Sequence, residues 1–201
     1  AKRAGIPGEE KFLGFGVSGC ATWDGFLCRG KPVAVIGGGN AAAIEALHLA
    51  NMASDVTLIH RRDTLRAEKV MADRVLANPK IKVEWDSVVE EIVGVDKPLG
   101  MTHIILKNVK TGMTKKLDVG TVFVAIGHDP NTSIFKGHVD LNEAGYILTK
   151  LASTATNVAG VFAAGDVTNP KYKQAIIAAG QGAEAALDAI KFLEDLKGKE
   201  E

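Results

Sequence analysis

Pro32-Val33-Ala34-Val35-Ile36-Gly37-Gly38-Gly39-Asn40-Ala41-Ala42-Ala43-Ile44-Glu45-Ala46-Leu47 decides the fold of this chain. Pro32 to Ile36 is short and apolar without alternation, the pattern of a central parallel strand covered on both faces. Gly37 to Ala42 then matches the fingerprint G-x-G-x-x-G/A, and Asn40 to Met52 reads as a helix. Gly37 would allow the tight turn, Gly39 would let backbone approach a pyrophosphate, and Ala42 would let helix and strand pack closely. The helix start at Asn40 and Ala41 would offer free N–H groups and a positive dipole end to the anion. A glycine-rich turn without a ligand is the bland alternative, and the strand that follows weighs against it.

That strand is Val56 to Ile59, which closes a βαβ unit of ordinary size. An NAD site usually places Asp or Glu there, about 20 residues beyond the glycines, to hold the ribose hydroxyls. This chain has His60-Arg61-Arg62-Asp63 and then Arg66. An acid would repel a 2′-phosphate, whereas guanidinium groups bind it through charge-assisted hydrogen bonds, so NADPH is expected over NADH. The two arginines would equally suit the solvated start of a surface helix. His60 reads either as a cofactor contact or as a satisfied strand-end histidine.

Outward from this unit, Thr64 to Ala77 reads as a helix ended by Asn78-Pro79. Ile81 to Trp85, Val88 to Val95, Thr102 to Lys107 and Lys115 to Leu117 suggest strands, the last two joined by a turn near Thr111-Gly112. Thr121 to Ile126 is another buried strand, and Gly127 to Asn131 breaks the chain. Beyond it, Leu141 to Ile147 reads as a short hairpin, Val161 to Ala163 as a strand and Gln174 to Leu196 as a long helix. Ala1 to Gly30 is a turn-rich lead-in. The fold class is therefore α/β, a Rossmann-like nucleotide-binding domain with a parallel sheet plus a β-meander, and a division near residue 128.

Composition excludes several other functions. The 201 residues are 46% hydrophobic and 24% charged with zero formal net charge, so no global field argues for nucleic acid or a membrane surface. No apolar run approaches the roughly 20 residues that span a bilayer, and a cytoplasmic protein is expected. Cys20 and Cys28 are too few for a disulfide scaffold and fit no common zinc spacing, so no metal is expected.

Gly160-Val161-Phe162-Ala163-Ala164-Gly165-Asp166-Val167, read alone, is a strand followed by an Asx turn or a carboxylate aimed at a ribityl hydroxyl. Together with Gly19-Cys20-Ala21-Thr22-Trp23-Asp24-Gly25, Gly37 to Ala42, His60 to Asp63 and Ala125-Ile126-Gly127, it stands in the order and spacing of low-molecular-weight thioredoxin reductase, which the chain resembles along essentially all its length. The resemblance implies a homodimeric flavoprotein whose NADPH domain is inserted into its FAD domain. Residues 16–127 would be the insert, 1–15 the end of one FAD-domain half with its linker, and 128–201 the carboxy-terminal part of a Rossmann-like FAD domain. Ile126 and Gly127 would be cofactor-binding, Gly165 and Asp166 would match the flavin-binding aspartate motif, and Lys173-Gln174-Ala175 would lie beside the isoalloxazine ring. The chain would be the carboxy-terminal two-thirds of such a protein, with the FAD glycine fingerprint in a segment before Ala1.

The family's redox motif is Cys-Ala-Thr-Cys-Asp, and here it reads Cys20-Ala21-Thr22-Trp23-Asp24. Trp23 stands where the flavin-facing cysteine belongs, and an indole is neither a thiolate nucleophile nor a disulfide partner. Asp24 matches the family's acidic proton donor. Cys28 lies eight residues from Cys20, where local geometry does not guarantee a disulfide, and reads as a small buried thiol. The expected function is electron transfer from NADPH via FAD to the disulfide of thioredoxin or another protein, impaired at Trp23. An NADPH-dependent flavoprotein with a different acceptor, or a non-enzymatic NADPH-binding module, are the alternatives.

Overall fold

The computed structural model describes residues 1–198. It divides into two compact units, Ala1–His128 and Asp129–Glu201. The first contains a five-stranded parallel sheet of β1 (Val17–Ser18), β2 (Val33–Ile36), β3 (Val56–Ile59), β4 (Ile81–Glu84) and β8 (Thr121–Val124), in the order β1-β8-β2-β3-β4. A second sheet is the antiparallel meander β5 (Ser87–Asp96), β6 (Leu99–Asn108) and β7 (Thr114–Leu117). Helices α1 (Ala21–Asp24), α2 (Asn40–Leu49) and α3 (Lys69–Ala77) complete this unit.

The unalternating apolar strands are explained by what covers them. Val33, Val35, Val56, Leu58 and Phe123 face α2 and α3, packing on Ala42, Ala46, Leu49 and Val75. Ala34, Ile59, Val122 and Val124 point the other way, into Val89, Ile92, Ile104 and Leu106 of the meander. Side chains alternate faces along a strand, so both faces must be apolar.

Three sequence expectations need correction here. The helix expected from Thr64 begins only at Lys69, because the preceding amides bond elsewhere: Arg66 N and Ala67 N donate to Gly38 O at 2.6 and 3.1 Å, and Glu68 N to Asn40 Oδ1 at 2.7 Å. The helix expected to reach Met52 ends at Leu49, where Met52 N and Ala53 N both turn back to Leu49 O. The lead-in segment, read as turns alone, contains β1, which extends the sheet by pairing with β8.

The second unit is lightly packed around Val139, Ile147 and Ala163. Leu141 and Ile147 form one antiparallel bridge, closed by Asn142 Oδ1 accepting Ala144 N and Tyr146 N at 3.0 Å each. The strand expected at Val161 to Ala163 reduces to a single bridge, Ala155 to Phe162, because its ladder has only Thr154–Thr156 for a partner. Helix α4 (Ala175–Lys197) is tied to the loops by Asp188, which accepts from Ser153 Oγ, Thr154 N and Thr154 Oγ1 at 2.8–2.9 Å. These donors hold its carboxyl below the usual carboxylate range.

Candidate functional site

At the carboxyl ends of β2, β3 and β8 the first unit opens into a cavity of about 560 Å³. Parallel sheets bind ligands at this edge, where the connections leave neighbouring strands in opposite directions. The glycine turn Gly37–Gly39 with Asn40 and Ala41 forms one wall, and His60, Arg61 and Arg66 another. Ala125, Ile126 and Gly127 approach from the end of β8. Arg62 does not line the cavity, and Ala42 is buried beneath the turn.

The three glycines serve three different ends. A β-carbon on Gly37 would sit 2.5 Å from Ala125 O and 2.6 Å from Ala42 Cβ, so the strand end and helix start close only over a bare α-carbon. On Gly38 it would enter the imidazole of His60 at 2.2 Å. On Gly39 it would meet nothing within 4 Å, pointing into open space beside the first amides of α2. Asn40 itself is spent structurally, its side chain clamped on Glu68 through Nδ2 to Oε1 at 3.1 Å and Oδ1 from the Glu68 amide.

His60 is 4% exposed, and its Nε2 is buried with no partner. Burial pushes its imidazole below the usual histidine range; the Thr64 backbone partly opposes this, while Arg66, Arg62 and Arg61 lower it further. A neutral ring with an orphaned nitrogen beside a guanidinium-lined cavity is the kind of group a ligand completes.

Sequence reading missed one side of the cavity. Ser87, Val88 and Val89 at the start of β5, and Arg3, Ala4 and Ile6 from the lead-in, also line it. No motif announces them, since they reach the site only through packing of the meander and lead-in on the sheet.

Cys20 and Asp24 do not line this cavity. Cys20 is the N-cap of α1; its N–H donates to Ser18 Oγ at 3.1 Å, and Ser18 Oγ donates to Asp24 Oδ2. Trp23 is 61% exposed. Both thiols are free, and Cys28 is buried with Sγ 3.7 Å from Asp24 O. The backbone is helical from Ala21 to Cys28. At about 1.5–2.0 Å per residue this sets the two cysteine α-carbons roughly 12–15 Å apart, beyond the ~7 Å limit for a disulfide.

Glu45 of α2 lies behind this segment, with Oε2 buried and unpartnered. Burial pushes its carboxyl from 4.5 to about 7, and the Ala21 N–H partly offsets that rise. The folded chain thus binds this proton more tightly than the unfolded chain, so stability falls as pH climbs from about 4.5 to about 7. Glu45→Gln removes this dependence, and its advantage over wild type is expected to grow by on the order of 2–3 kcal/mol between pH 4 and pH 8. Urea unfolding of both proteins at the two pH values checks it; parallel pH profiles would reject the assignment.

In the second unit, Gly165 has φ +77° and its N–H is taken by Gln181 Oε1 at 2.9 Å. Asp166 follows in a 3₁₀ turn with its carboxylate exposed, and Gln174 and Ala175 form the N-cap and first residue of α4.

The family model for pyridine nucleotide-disulphide oxidoreductases matches residues 1–182. The chain belongs to this family. Its similar relatives include proteins named thioredoxin reductase from Rickettsia conorii, 52% identical over 96% of this chain and 62% of that protein, and from Coxiella burnetii, 51% identical over 98% and 63%. Among solved structures, thioredoxin reductase from Streptococcus pyogenes aligns with TM-score 0.90 and 39% identity over 96% of this chain and 62% of its own. The enzyme from Giardia duodenalis aligns with TM-score 0.86 and 41% identity over 96% and 63%. This family member therefore spans a little over three-fifths of the relatives' length.

Proposed function

We propose that the chain serves an NADPH-dependent flavoprotein of the thioredoxin-disulfide reductase type, carrying electrons from NADPH through FAD to a protein disulfide, with the last step impaired by Trp23. The cavity that joins the Gly37–Gly39 turn to His60, Arg61 and Arg66 carries this reading, in a family member whose relatives are named thioredoxin reductase. Residues 16–127 form the NADPH domain, and 1–15 and 128–201 belong to an FAD domain. The protein is a cytoplasmic homodimer acting on thioredoxin. No helix among the described residues is long and apolar enough to cross a membrane.

The residues present suit both cofactors. At the NADPH site the amides of Asn40 and Ala41 and the open space at Gly39 receive the pyrophosphate, Arg61 and Arg66 the 2′-phosphate with Arg62 at the rim, and His60 Nε2 gains a partner. Ile126 and Gly127 bound the far end of the dinucleotide. Asp166 offers its carboxylate to a ribityl hydroxyl, while Gly165, its amide engaged by Gln181, contributes a bare α-carbon. Gln174 and Ala175, at the start of α4, flank the ring. When bound, NADPH would supply hydride chemistry at this cavity and FAD would supply two-electron chemistry toward a disulfide. Cys20 holds one thiol for that exchange, and Asp24, whose carboxylate accepts from Ser18 Oγ, stands at the position of the family's acidic residue.

Titration of NADPH and NADH tests the reading. NADPH is expected to bind more tightly, and Arg61→Ala with Arg62→Ala should cost roughly 1.5–3 kcal/mol per charged hydrogen bond lost, with NADH little affected. Equal affinity of the wild type for both nucleotides would sink it.

A further inference from the structure

The Arg61–Arg62 segment is followed at once in the sequence by an acid, Asp63, two residues beyond the cavity-lining Arg61. A free carboxylate there would oppose the arginines. It is not free. Lys110, on the turn between β6 and β7, places Nζ 3.4 Å from Asp63 Oδ2 and 3.0 Å from Asp86 Oδ2.

The lysine is presented by a turn built for the purpose. Asn108 Oδ1 accepts the amides of Lys110 and Thr111 at 3.0 and 2.9 Å, and Gly112 N closes the loop on Asn108 O at 2.9 Å. Asp86 ties this turn to the arginine segment: its N–H donates to Arg62 O at 3.2 Å, and its carbonyl accepts Val109 N at 2.6 Å. Asp86 adopts φ +50° to do so, a left-handed conformation unusual for a residue other than glycine. Three loops distant in sequence thus converge on one ammonium group.

We infer that Lys110 is a specificity-determining positioning residue, holding Asp63 away from the 2′-phosphate subsite so that the arginines act on that phosphate unopposed. This rests on the NADPH reading above. Asp86 first, then Asp63, hold the Lys110 ammonium above its ordinary range, so it stays charged wherever NADPH binding is measured. Lys110 touches no cofactor atom in this scheme; it acts through Asp63.

The test is a cycle in the 201-residue chain, with dissociation constants for NADPH and NADH measured calorimetrically at low salt. Lys110→Ala is expected to weaken NADPH about three- to fivefold and leave NADH within about twofold, because only the phosphate senses the released carboxylate. Asp63→Asn combined with Lys110→Ala should return NADPH affinity to that of Asp63→Asn alone, and Lys110→Arg should keep the wild-type ratio. An undiminished loss in the Asp63→Asn background would mean that Lys110 acts on the phosphate by its own charge, and the inference falls. An unchanged NADPH to NADH ratio in Lys110→Ala, with wild-type preference intact, overturns the inference but spares the NADPH reading. A wild type without preference removes both.

Discussion

Trp23→Cys is expected to raise NADPH-dependent reduction of thioredoxin by on the order of a thousandfold in a protein whose flavin site is complete. Residues 20 and 23 are three apart, with Ala21–Asp24 helical and Cys20 as N-cap. Side chains at that spacing are neighbours, about 5–6 Å apart at the β-carbons, so a small adjustment at the N-cap would bring the β-carbons of two cysteines to the roughly 3.5–4.5 Å a disulfide requires. Trp23 is exposed, so its replacement leaves the core intact. Cys20, Ser18 and Asp24 already form the hydrogen-bonded frame a second thiol would join. Cys28 cannot stand in while the helical stretch persists. Thioredoxin reduction and flavin bleaching by NADPH, followed in parallel in parent and variant, decide the matter. Substantial turnover by the Trp23 parent would mean that another thiol completes the relay. An inactive variant with normal flavin bleaching would point to a different acceptor.

Alanine at each of Gly38 and Gly39 is expected to separate stability from binding. Gly38→Ala drives a methyl into the His60 ring at 2.2 Å, so that buried ring must shift from its place in the cavity wall. Overpacking of this kind costs about 1–3 kcal/mol, and shifting His60 also spoils the arginine wall, so stability and NADPH affinity fall together. Gly39→Ala meets no protein atom and sits at φ −97°, which alanine adopts freely. Its stability should fall by no more than about 1 kcal/mol, the cost of alanine in place of glycine at the N-cap of α2, while NADPH weakens tenfold or more, because the methyl would fill the space proposed for the pyrophosphate. His60→Ala in the Gly38→Ala background should recover stability by removing the obstacle. Thermal melts and nucleotide titration read both effects. A Gly39→Ala protein with unaltered affinity would show that the pyrophosphate does not lie over this turn.

Much of this was legible in the sequence because its causes are local. The unalternating run at Val33 to Ile36, the glycines after it and the apolar Val56 to Ile59 are consequences of chain geometry within some thirty residues, and they identify a βαβ unit without any partner in view. The Arg61-Arg62 pair was visible for the same reason, its place fixed by the strand end. The helix start was misjudged at Thr64 because Arg66, Ala67 and Glu68 give their amides to Gly38 and Asn40, residues nearly thirty positions away. Such competition leaves no periodic trace.

Only tertiary structure decided the rest. Gly38 reads in sequence as the variable position of a fingerprint, yet it must be glycine because the His60 ring lies against it from the next strand. Arg3 and Ser87 line the cavity, and Lys110 reaches Asp63 from the meander, by virtue of how segments distant in sequence from their partners pack on one sheet. The local sequence determined that a glycine fingerprint follows β2 and that a pair of arginines follows β3. Non-local packing determined which side chains share the cavity with them and which lysine pairs with Asp63, because close approach between distant segments depends on the whole core rather than on any one stretch of chain.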